Sequence, residues 1–235
     1  LIYFFLKESP ESINTTPYGA ASDWQPPILD KGNAAKNAID SLKAAMKVRN
    51  FWYLSGSFFV CGLSTSGLIG THFIPAAHDH GMVTVTAASL LALIGVFDVV
   101  GTIFSGVLTD RIDPRKLLFF YYFTRGLSLF LLPSILFSTL HASTLVFIIF
   151  YGLDWVATVP PTVLLCRQVL GPDKGAIIYG WVFAAHQVGG SIAAIGAALL
   201  RVKFGDYASA FYITGLLCVI TSYFVLQMNW VKEDK

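Results

Sequence analysis

Four ionisable side chains lie inside long apolar runs, where a charge is costly unless it is paired or hydrated. They are Asp98, Arg125, Asp154 and His186. At about 1.5 Å of rise per helical residue, each lies about 12–15 Å from one end of its run, near the middle of a bilayer. An arginine fork can bind a carboxylate at two points, and an acid or a histidine can carry a proton. The four residues therefore predict either an ion pair that fixes helix packing or a site for an anionic solute and protons.

Polar residues at helical spacing accompany these charges and favour a hydrated face. Thr102 follows Asp98 by one turn, and Gln187 adjoins His186. We expect Arg125 either to pair with one of the two aspartates or to anchor the substrate, which leaves an acid, together with the histidine, free to carry protons. The predicted substrate and proton-coupling residues are Asp98, Thr102, Arg125, Asp154, His186 and Gln187.

The connection between the second and third apolar runs is rich in charge, and we call it the motif loop (residues 106–116). It reads Gly106-Val-Leu-Thr-Asp110-Arg111-Ile-Asp113-Pro-Arg115-Lys116. An acid at a helix end can accept hydrogen bonds from arginines or face the positive N-terminus of another helix, such as the fifth run, which begins near Ile177. Such a contact can form in one conformation and break in another, although the basic residues could also serve only to set orientation. The residues predicted to control conformational gating are Gly106, Asp110, Arg111, Arg115 and Lys116.

The composition indicates that lipid is the solvent. Of 235 residues, 55% are hydrophobic and 13% are charged, and the mean hydropathy is +0.64, whereas about a quarter of a typical soluble domain is charged. Six apolar runs are each long enough to cross a bilayer, which takes about 20 helical residues. We place them near 51–75, 84–108, 117–137, 144–165, 177–200 and 207–228. The predicted fold class is an all-α integral membrane protein with six transmembrane helices.

Lysine and arginine are unevenly distributed between the connections, which predicts orientation. The connections on one side of the membrane, together with the C-terminal end, are rich in these residues and carry Arg111, Arg115, Lys116, Arg167, Lys174, Lys232 and Lys235. The connections on the opposite side carry only Arg201 and Lys203. We therefore expect a multi-pass protein of the plasma (inner) membrane in which both ends of the six-helix domain are cytoplasmic.

The pattern along the chain predicts four segments. Residues 1–10 start without Met and are typical of the end of a preceding transmembrane helix, so we expect the chain to be part of a longer polypeptide. Residues 11–49 are predicted to be a cytoplasmic linker containing a basic amphipathic helix, 36–49, on the membrane surface. Residues 50–230 form the six-helix domain and 231–235 a cytoplasmic tail.

Two further features concern the interior of the domain. Pro160 and Pro161 remove helix hydrogen bonds, so a kink is expected in the fourth helix. Cys61, Cys166 and Cys218 have no disulfide or zinc spacing and are expected to be buried thiols.

The six runs and the linker, together with Gly106-x-Leu108-x-Asp110-Arg111-x-Asp113-x-Arg115-Lys116, resemble the C-terminal half of a major facilitator superfamily transporter. The resemblance implies secondary active transport by alternating access, with an N-terminal six-helix half supplied by the same polypeptide or a partner chain. Asp98 and the run His72-Phe-Ile-Pro75 are similar to monocarboxylate and oxalate–formate porters, although Thr102 stands where those porters carry an arginine. Together with Arg125, this similarity implies a small anionic substrate, such as a monocarboxylate, and the titratable groups inside the membrane favour proton symport.

Two other classes of membrane protein are consistent with parts of the sequence. His78-Asp79-His80, with His72 nearby, could ligate a metal in a membrane metal protein, but no second ligand pair has recognisable spacing. A six-helix scaffold without transport activity is the other alternative. The sequence contains no nucleophile elbow, phosphate-binding loop or helix-borne metal motif. We therefore expect no enzymatic activity, no cofactor, no metal and no nucleic-acid partner.

Overall fold

A computed structural model of the chain describes residues 13, 15–16, 19 and 33–230. Within them, six helices are long and apolar enough to cross a membrane, and we number them spans 1 to 6. They are Arg49–Asp79, Thr84–Thr109, Pro114–Ile135, Ala142–Leu170, Pro172–Phe204 and Ala208–Val225. The predicted all-α architecture of six transmembrane helices is confirmed. Residues 1–10 and 231–235 lie outside the described residues.

Hydrogen bonds at the two ends of the bundle show how the spans run. The Asn50 side chain near the start of span 1 donates to the Asn229 carbonyl at 2.6 Å and accepts from the Asn229 N–H at 3.0 Å, just beyond span 6. At the other end, Asp79 at the end of span 1 pairs with Arg201 near the end of span 5 at 2.7 Å. Successive spans therefore alternate in direction. We call the end that carries the motif loop the motif end and the other the far end.

Spans 1 and 5 cross in very close contact. A Cβ atom on Gly62 would lie 1.9 Å from the His186 carbonyl oxygen, and one on Gly189 would lie 2.1 Å from the Phe59 carbonyl oxygen. Small residues permit this approach of two backbones, which stabilises helix pairs in lipid through close packing. Beside the crossing, span 1 widens into a π-helix, Leu63–Ile69, a feature often found at functional sites.

Span 4 consists of two helices, Ala142–Asp154 and Val159–Leu170, joined by a turn at residues 155–158. Pro160 and Pro161 lack the N–H groups that would bond to the carbonyls four residues earlier, so the helix cannot continue through them. The kink expected from the two prolines is confirmed, and it lies immediately before them.

A short helix, Ala34–Ala45, precedes span 1. It ends four residues before the predicted boundary at 49, because Val48 is extended (φ −100°, ψ 123°) and span 1 begins at the next residue. Ala45 is fully buried, and the Trp181 indole of span 5 donates to the Ala38 carbonyl at 3.0 Å. This part of the helix is therefore fixed to the motif end of the bundle.

The helical spacing of Ile39, Leu42 and Met46 places them on one side of this helix. In the structure Leu42 packs in the core, whereas Ile39 and Met46 are 47% and 46% exposed. The buried face instead contains small residues, because Ser41 and Ala45 let the helix approach the bundle closely.

Candidate functional site

Arg125, on span 3, is 1% exposed, and its five N–H donors all have acceptors. Its Nε donates to Asp154 Oδ2 at 2.6 Å. Its Nη2 donates to the main-chain carbonyls of Asp154 at 2.6 Å and Trp155 at 3.2 Å. Its Nη1 donates to Cys61 Sγ at 3.1 Å and Ser64 Oγ at 3.4 Å. Of the arrangements expected for Arg125, the structure shows the pair with Asp154, and in this conformation no donor remains for a substrate.

The position of this guanidinium is explained by the break in span 4. The carbonyls of Asp154 and Trp155 lie at the C-terminal end of the first helix of the span, where carbonyls lack intrahelical donors and the helix dipole is negative. Arg125 supplies both the donors and the positive charge at that end. Arg125 therefore donates hydrogen bonds to two backbone carbonyls that would find no donor in the hydrocarbon of the bilayer.

Asp98, on span 2, lies on the other side of the same break. Its Oδ1 accepts from the Val156 N–H at 2.9 Å and from Thr102 Oγ1 at 3.2 Å. Val156 lies just before the second helix of span 4, so the carboxylate faces the positive N-terminal end of that helix. Asp98 is partly exposed, and among the described residues nothing donates to its second oxygen, Oδ2. Asp98 therefore has an oxygen without a described donor on a partly exposed side chain, whereas the unpaired oxygen of Asp154, Oδ1, is buried.

Ser105 completes the set of groups around the break. Its hydroxyl donates to the Ala157 carbonyl at 2.5 Å, the carbonyl that Pro161 leaves without a helical donor. The sequence spacing places Ser105 on the polar stripe of Asp98 and Thr102, two turns after Asp98, but Ser105 was not among the predicted site residues. Pro161 also predicts a free carbonyl four residues earlier, which is the carbonyl that Ser105 binds.

His186 and Gln187 lie where span 5 crosses span 1. The His186 ring stacks on Phe183 with centroids 5.3 Å apart, its Nδ1 lies 3.1 Å from Gln187 Oε1, and its Nε2 lies 3.4 Å from Thr65 Oγ1. His186 is buried, whereas the Gln187 side chain is exposed. The two predicted residues are therefore adjacent, but only Gln187 faces outward from the described chain.

Cys61 connects the two groups of predicted site residues. Its sulfur accepts from Arg125 Nη1 and lies 3.4 Å from Thr158 Oγ1. The expectation that all three cysteines are buried is confirmed, with no disulfide among them. Cys61 shares a helix face with Ser57, Ser64 and Thr65 in the sequence, but its contact with Arg125 was not predicted.

Within the motif loop, Asp113 and Arg115 form a structured unit at the start of span 3. Asp113 caps the span by accepting from the Arg115 N–H at 2.9 Å, and the two side chains pair at 2.8 Å. Burial raises the pKa of the Asp113 carboxyl, but the hydrogen bonds and charge of Arg115 outweigh it, so the pKa lies below its ordinary value. Arg115 also donates to the Met228 carbonyl at 2.7 Å and lies over the Trp230 ring. The loop is therefore joined to the end of span 6.

The other motif-loop residues have few contacts. Asp110 and Arg111 are exposed, and their side chains form no hydrogen bond or ion pair with any described residue. A Cβ on Gly106 would meet nothing within 4 Å, and Lys116 is exposed. The expected contact of Asp110 with the start of span 5 is not formed in this conformation. Asp113 makes the helix-end contact instead, and the sequence Asp113-Pro114 is typical of a cap followed by the first helical residue.

The residues considered as metal ligands are engaged elsewhere. Both carboxylate oxygens of Asp79 accept from Arg201, at 2.7 and 2.8 Å, and His80 Nδ1 lies 2.8 Å from the Ala76 carbonyl. His72 is buried inside span 1, with Nε2 2.8 Å from the Ala194 carbonyl. In the described part of the chain no three His, Cys, Asp or Glu side chains are grouped to bind a metal.

Comparison with known proteins agrees with this architecture. The family model of the Major Facilitator Superfamily matches residues 1–194. The chain is 24% identical over 194 residues to an uncharacterized MFS-type transporter, YcxA, of Bacillus subtilis, which covers 77% of the chain and 46% of that protein. It is 30% identical over 157 residues to monocarboxylate transporter 13 of Rattus norvegicus, covering 63% of the chain and 36% of that protein. It is 25% identical over 222 residues to monocarboxylate transporter 12-B of Danio rerio, covering 88% and 46%.

A solved structure shows the same fold. The crystal structure of the E. coli fucose:proton symporter FucP aligns with a TM-score of 0.64 and 19% identity, covering 83% of this chain and 47% of that one. The chain thus spans about half the length of these relatives or less, and its six helices form the C-terminal half of their fold. The family match over most of the chain and the six membrane-spanning helices show that this multi-pass integral membrane protein belongs to the Major Facilitator Superfamily.

Proposed function

We propose that the chain forms the C-terminal half of a secondary active transporter that moves a small organic anion, such as a monocarboxylate, by alternating access with proton coupling. Asp98 carries this proposal. It is an ionisable side chain near the middle of an apolar helix, it is partly exposed, and one of its oxygens has no donor among the described residues. A charged group in that situation is too costly to face lipid, so the face that contains it is expected to line a hydrated path.

The faces of spans 2 and 5 support the presence of a second half. These spans are the least buried of the six, with 22% and 28% of their most apolar stretches buried. At about 1.5 Å per residue, Asp98 lies about 16 Å from the motif end of span 2, and the exposed Gln187 lies about 22 Å from the motif end of span 5, so both are in the middle part of their spans. An N-terminal six-helix half, in the same polypeptide or a partner chain, would enclose these polar groups.

The motif loop fits the same arrangement. Gly106, Asp110 and Arg111 have no close partner among the described residues, and Lys116 is exposed beside them. They would contact the N-terminal half when the transporter is closed at the motif end. They would separate from that half when the motif end opens. Arg115, which is bonded to the end of span 6, would keep the loop in position during this gating movement.

The roles of the charged residues follow from their contacts. Asp98, with its open oxygen and the Thr102 hydroxyl beside it, would take up the coupled proton, and His186 and Gln187 would contact the substrate or the proton from span 5. Arg125 and Asp154 would stabilise the break in span 4, and Arg125 could reach an anion only if that break rearranged. The anionic substrate is supported by the names of the two monocarboxylate transporters among the relatives, and proton coupling by that of the fucose:proton symporter.

Orientation and location complete the proposal. The motif end carries most of the loop lysines and arginines, so by the positive-inside rule it lies in the cytoplasm, together with both ends of the six-helix domain. The 11–49 linker would be cytoplasmic as well, with residues 1–10 ending a preceding transmembrane helix and 231–235 forming a tail. The transporter would lie in the plasma (inner) membrane.

The test uses the complete transporter that contains this chain, reconstituted in proteoliposomes with a radiolabelled monocarboxylate. Asp98→Asn should abolish accumulation driven by a proton gradient while leaving counterflow of substrate, because the amide keeps the site but cannot take up the proton. Asp40→Asn, on the exposed side of the helix before span 1, is the matched control and should accumulate substrate normally. Unchanged accumulation by the Asp98 variant would contradict the coupling role.

A further inference from the structure

A cavity of about 430 Å³ lies between spans 1 and 6, and we call it the span 1–6 groove. Its wall is formed by residues within 52–57 of span 1 and 217–224 of span 6. Three side chains of this wall, those of Trp52, Ile220 and Phe224, are 55%, 42% and 49% exposed, so the groove is open to the outside of the described chain. Its volume lies within the range of about 300–1,000 Å³ that is usual for ligand pockets.

The wall of the groove presents mainly apolar surface. Of its three hydroxyl groups, that of Ser57 donates to a carbonyl of its own helix at 3.0 Å, and that of Tyr53 accepts from Arg49 Nε at 2.9 Å. The third belongs to Thr221, which is buried. None of the described residues that form the wall is charged. The part of an occupant that lies in the groove must therefore be mainly apolar.

Positive charge lies at the motif end of the groove. The guanidinium carbon of Arg49 is 5.0 Å from the centre of the Tyr53 ring in the wall, and its Nη1 has no acceptor among the described residues. The Trp52 indole, also in the wall, donates to the Met46 carbonyl at 2.8 Å, which places the turn before span 1 beside the groove. Lys47 in this turn is exposed, and neither Lys47 nor Arg49 pairs with a described carboxylate.

The depth of the groove matches one leaflet of a bilayer. At about 1.5 Å per residue, Gly56 lies about 10 Å from Arg49 at the start of span 1, and Leu217 lies about 12 Å from Val225 at the end of span 6. Half of a hydrocarbon core of about 30 Å is about 15 Å. An acyl chain in the groove would therefore have its headgroup at the motif end, beside Arg49.

We propose that the span 1–6 groove binds an acyl chain of an anionic phospholipid of the motif-end leaflet, whose headgroup is bound by Arg49 and Lys47. The apolar chain matches the wall, and the negative headgroup matches two basic side chains that have no described carboxylate partner. The N-terminal half is proposed above to cover spans 2 and 5, whereas spans 1 and 6 form the groove, so membrane lipid has access to it. The proposal does not depend on the transport activity.

The first experiment locates the lipid in the complete transporter that contains this chain, purified in detergent. Phosphatidylglycerol with a diazirine in one acyl chain is photo-crosslinked to it, and mass spectrometry identifies the labelled peptides. We expect labelling within residues 49–57 or 217–224. Unlabelled phosphatidylglycerol should compete at about tenfold lower concentration than phosphatidylcholine with the same chains, because two basic residues favour the anionic headgroup. Absence of labelling from both segments would overturn the proposal, as would equal competition by the two lipids.

The second experiment removes the charge at the motif end of the groove. The double variant Lys47→Gln, Arg49→Gln should lose the preference for phosphatidylglycerol, a decrease of about tenfold, while phosphatidylcholine competes as before. The matched control is Arg167→Gln, Lys174→Gln, which removes two exposed basic side chains from the connection between spans 4 and 5 at the same end. This control should retain the preference. An unchanged preference in the Lys47, Arg49 variant would contradict the assigned headgroup site.

The third experiment fills the groove. Gly56 is in the wall, and a Cβ added to it would meet nothing within 4 Å. Gly56→Leu should therefore fold and occupy the space of the acyl chain, and we expect labelling of the two segments to fall about tenfold. Gly180→Leu is the matched control, because Gly180 is an exposed glycine of span 5 whose added Cβ also meets nothing within 4 Å. Undiminished labelling in Gly56→Leu would show that the lipid does not lie in the groove.

Discussion

Arg125 and Asp98 bind opposite sides of one helix break, although they lie on different spans. The Arg125 guanidinium donates to the Asp154 carbonyl at 2.6 Å, at the end of the first helix of span 4. The Asp98 carboxylate accepts from the Val156 N–H at 2.9 Å, at the start of the second. A positive group thus lies at the negative end of one helix and a negative group at the positive end of the next. This arrangement explains why the bilayer interior can contain both charges and an interrupted helix.

The first prediction concerns the fork of Arg125. Arg125→Lys keeps the charge but cannot donate to Asp154 and Trp155 simultaneously in the same geometry, and each buried acceptor left without a donor costs about 1–3 kcal/mol. We expect the free energy of unfolding in detergent to fall by at least that amount. Arg111→Lys, at an exposed arginine whose side chain has no partner among the described residues, is the control and should change it by less than about 0.5 kcal/mol. Similar losses of unfolding free energy in the two variants would show that the hydrogen bonds of the Arg125 guanidinium do not stabilise the fold.

The second prediction concerns Ser105 and the carbonyl freed by Pro161. Ser105→Ala should leave the Ala157 carbonyl without a donor and reduce the free energy of unfolding by about 1–3 kcal/mol. Ser89→Ala is the matched control on the same span, because the Ser89 hydroxyl is exposed and bonds only to the Val85 carbonyl of its own helix. Chemical denaturation of both variants gives the comparison. A Ser105 variant as stable as the Ser89 variant would contradict the role assigned to this hydroxyl.

The third prediction concerns the crossing of spans 1 and 5. Gly62→Ala places a methyl group 1.9 Å from the His186 carbonyl oxygen, so the two backbones must separate and the packing beside the π-helix must be lost. We expect a sharp decrease in folded protein, measured by size-exclusion chromatography after detergent extraction. Gly196→Ala, with nothing within 4 Å of the added carbon, should be neutral or stabilising by up to about 1 kcal/mol. Equal yields of the two variants would be incompatible with the crossing described here.

The fourth prediction is a dependence of stability on pH at the motif loop. The pKa of Asp113 is lowered from 3.8, since the hydrogen bonds and charge of Arg115 outweigh the effect of burial. The ionised carboxylate therefore stabilises the fold above pH 3.8, the unfolded pKa, and this contribution is lost as the pH falls through the lower folded pKa. Because the pair is partly exposed, the contribution is at most about 1 kcal/mol.

The corresponding experiment uses Asp113→Asn, which retains a good helix cap while removing the charge. Its unfolding midpoint should be lower than that of the unmodified chain near neutral pH, and the two should converge in acid. Asp110→Asn, at an acid with no side-chain partner, serves as the reference and should follow the unmodified chain. If the difference in unfolding midpoint between the Asp113 variant and the unmodified chain stays constant from neutral pH to acid, the charge of the carboxylate does not cause the difference in stability.

Much of the fold could be predicted because membranes impose simple rules on sequence. A bilayer of fixed thickness requires apolar runs of about 20 residues, so the six spans were recognisable, and Pro160-Pro161 located the break in span 4. Helix ends were predicted less well, since span 1 extends to Asp79 where a boundary near 75 was expected. His72 lies inside the predicted run as well as inside span 1, and the structure adds its contact with span 5, where its Nε2 is 2.8 Å from the Ala194 carbonyl.

The candidate site was predicted only in part. The sequence identified Asp98, Arg125, Asp154 and His186 as unusual because charge in an apolar run is detectable without a structure. Helical spacing places Ser105 and Cys61 on polar stripes of spans 2 and 1, but it does not assign them a role, because a thiol and a hydroxyl are common in apolar helices and are informative only when their partners are known. The sequence also predicted that Asp110 in the motif loop would contact arginines or the start of the fifth helix, and in this conformation neither contact is formed with the described residues; Asp113 instead caps the start of span 3.

The sequence alone therefore determined the solvent, the number of spans, the family and the residues that carry charge into the membrane, since all of these depend on composition and on spacing along one chain. Only the tertiary structure decided how the charges are used. Whether Arg125 binds a substrate or a broken helix depends on which groups come within 3 Å of its nitrogens, and those groups lie on spans 1 and 4, far away in sequence. Likewise, the opposite-charge contacts around Val156 exist because packing places spans 2 and 3 on either side of the break in span 4, and no local pattern specifies that packing.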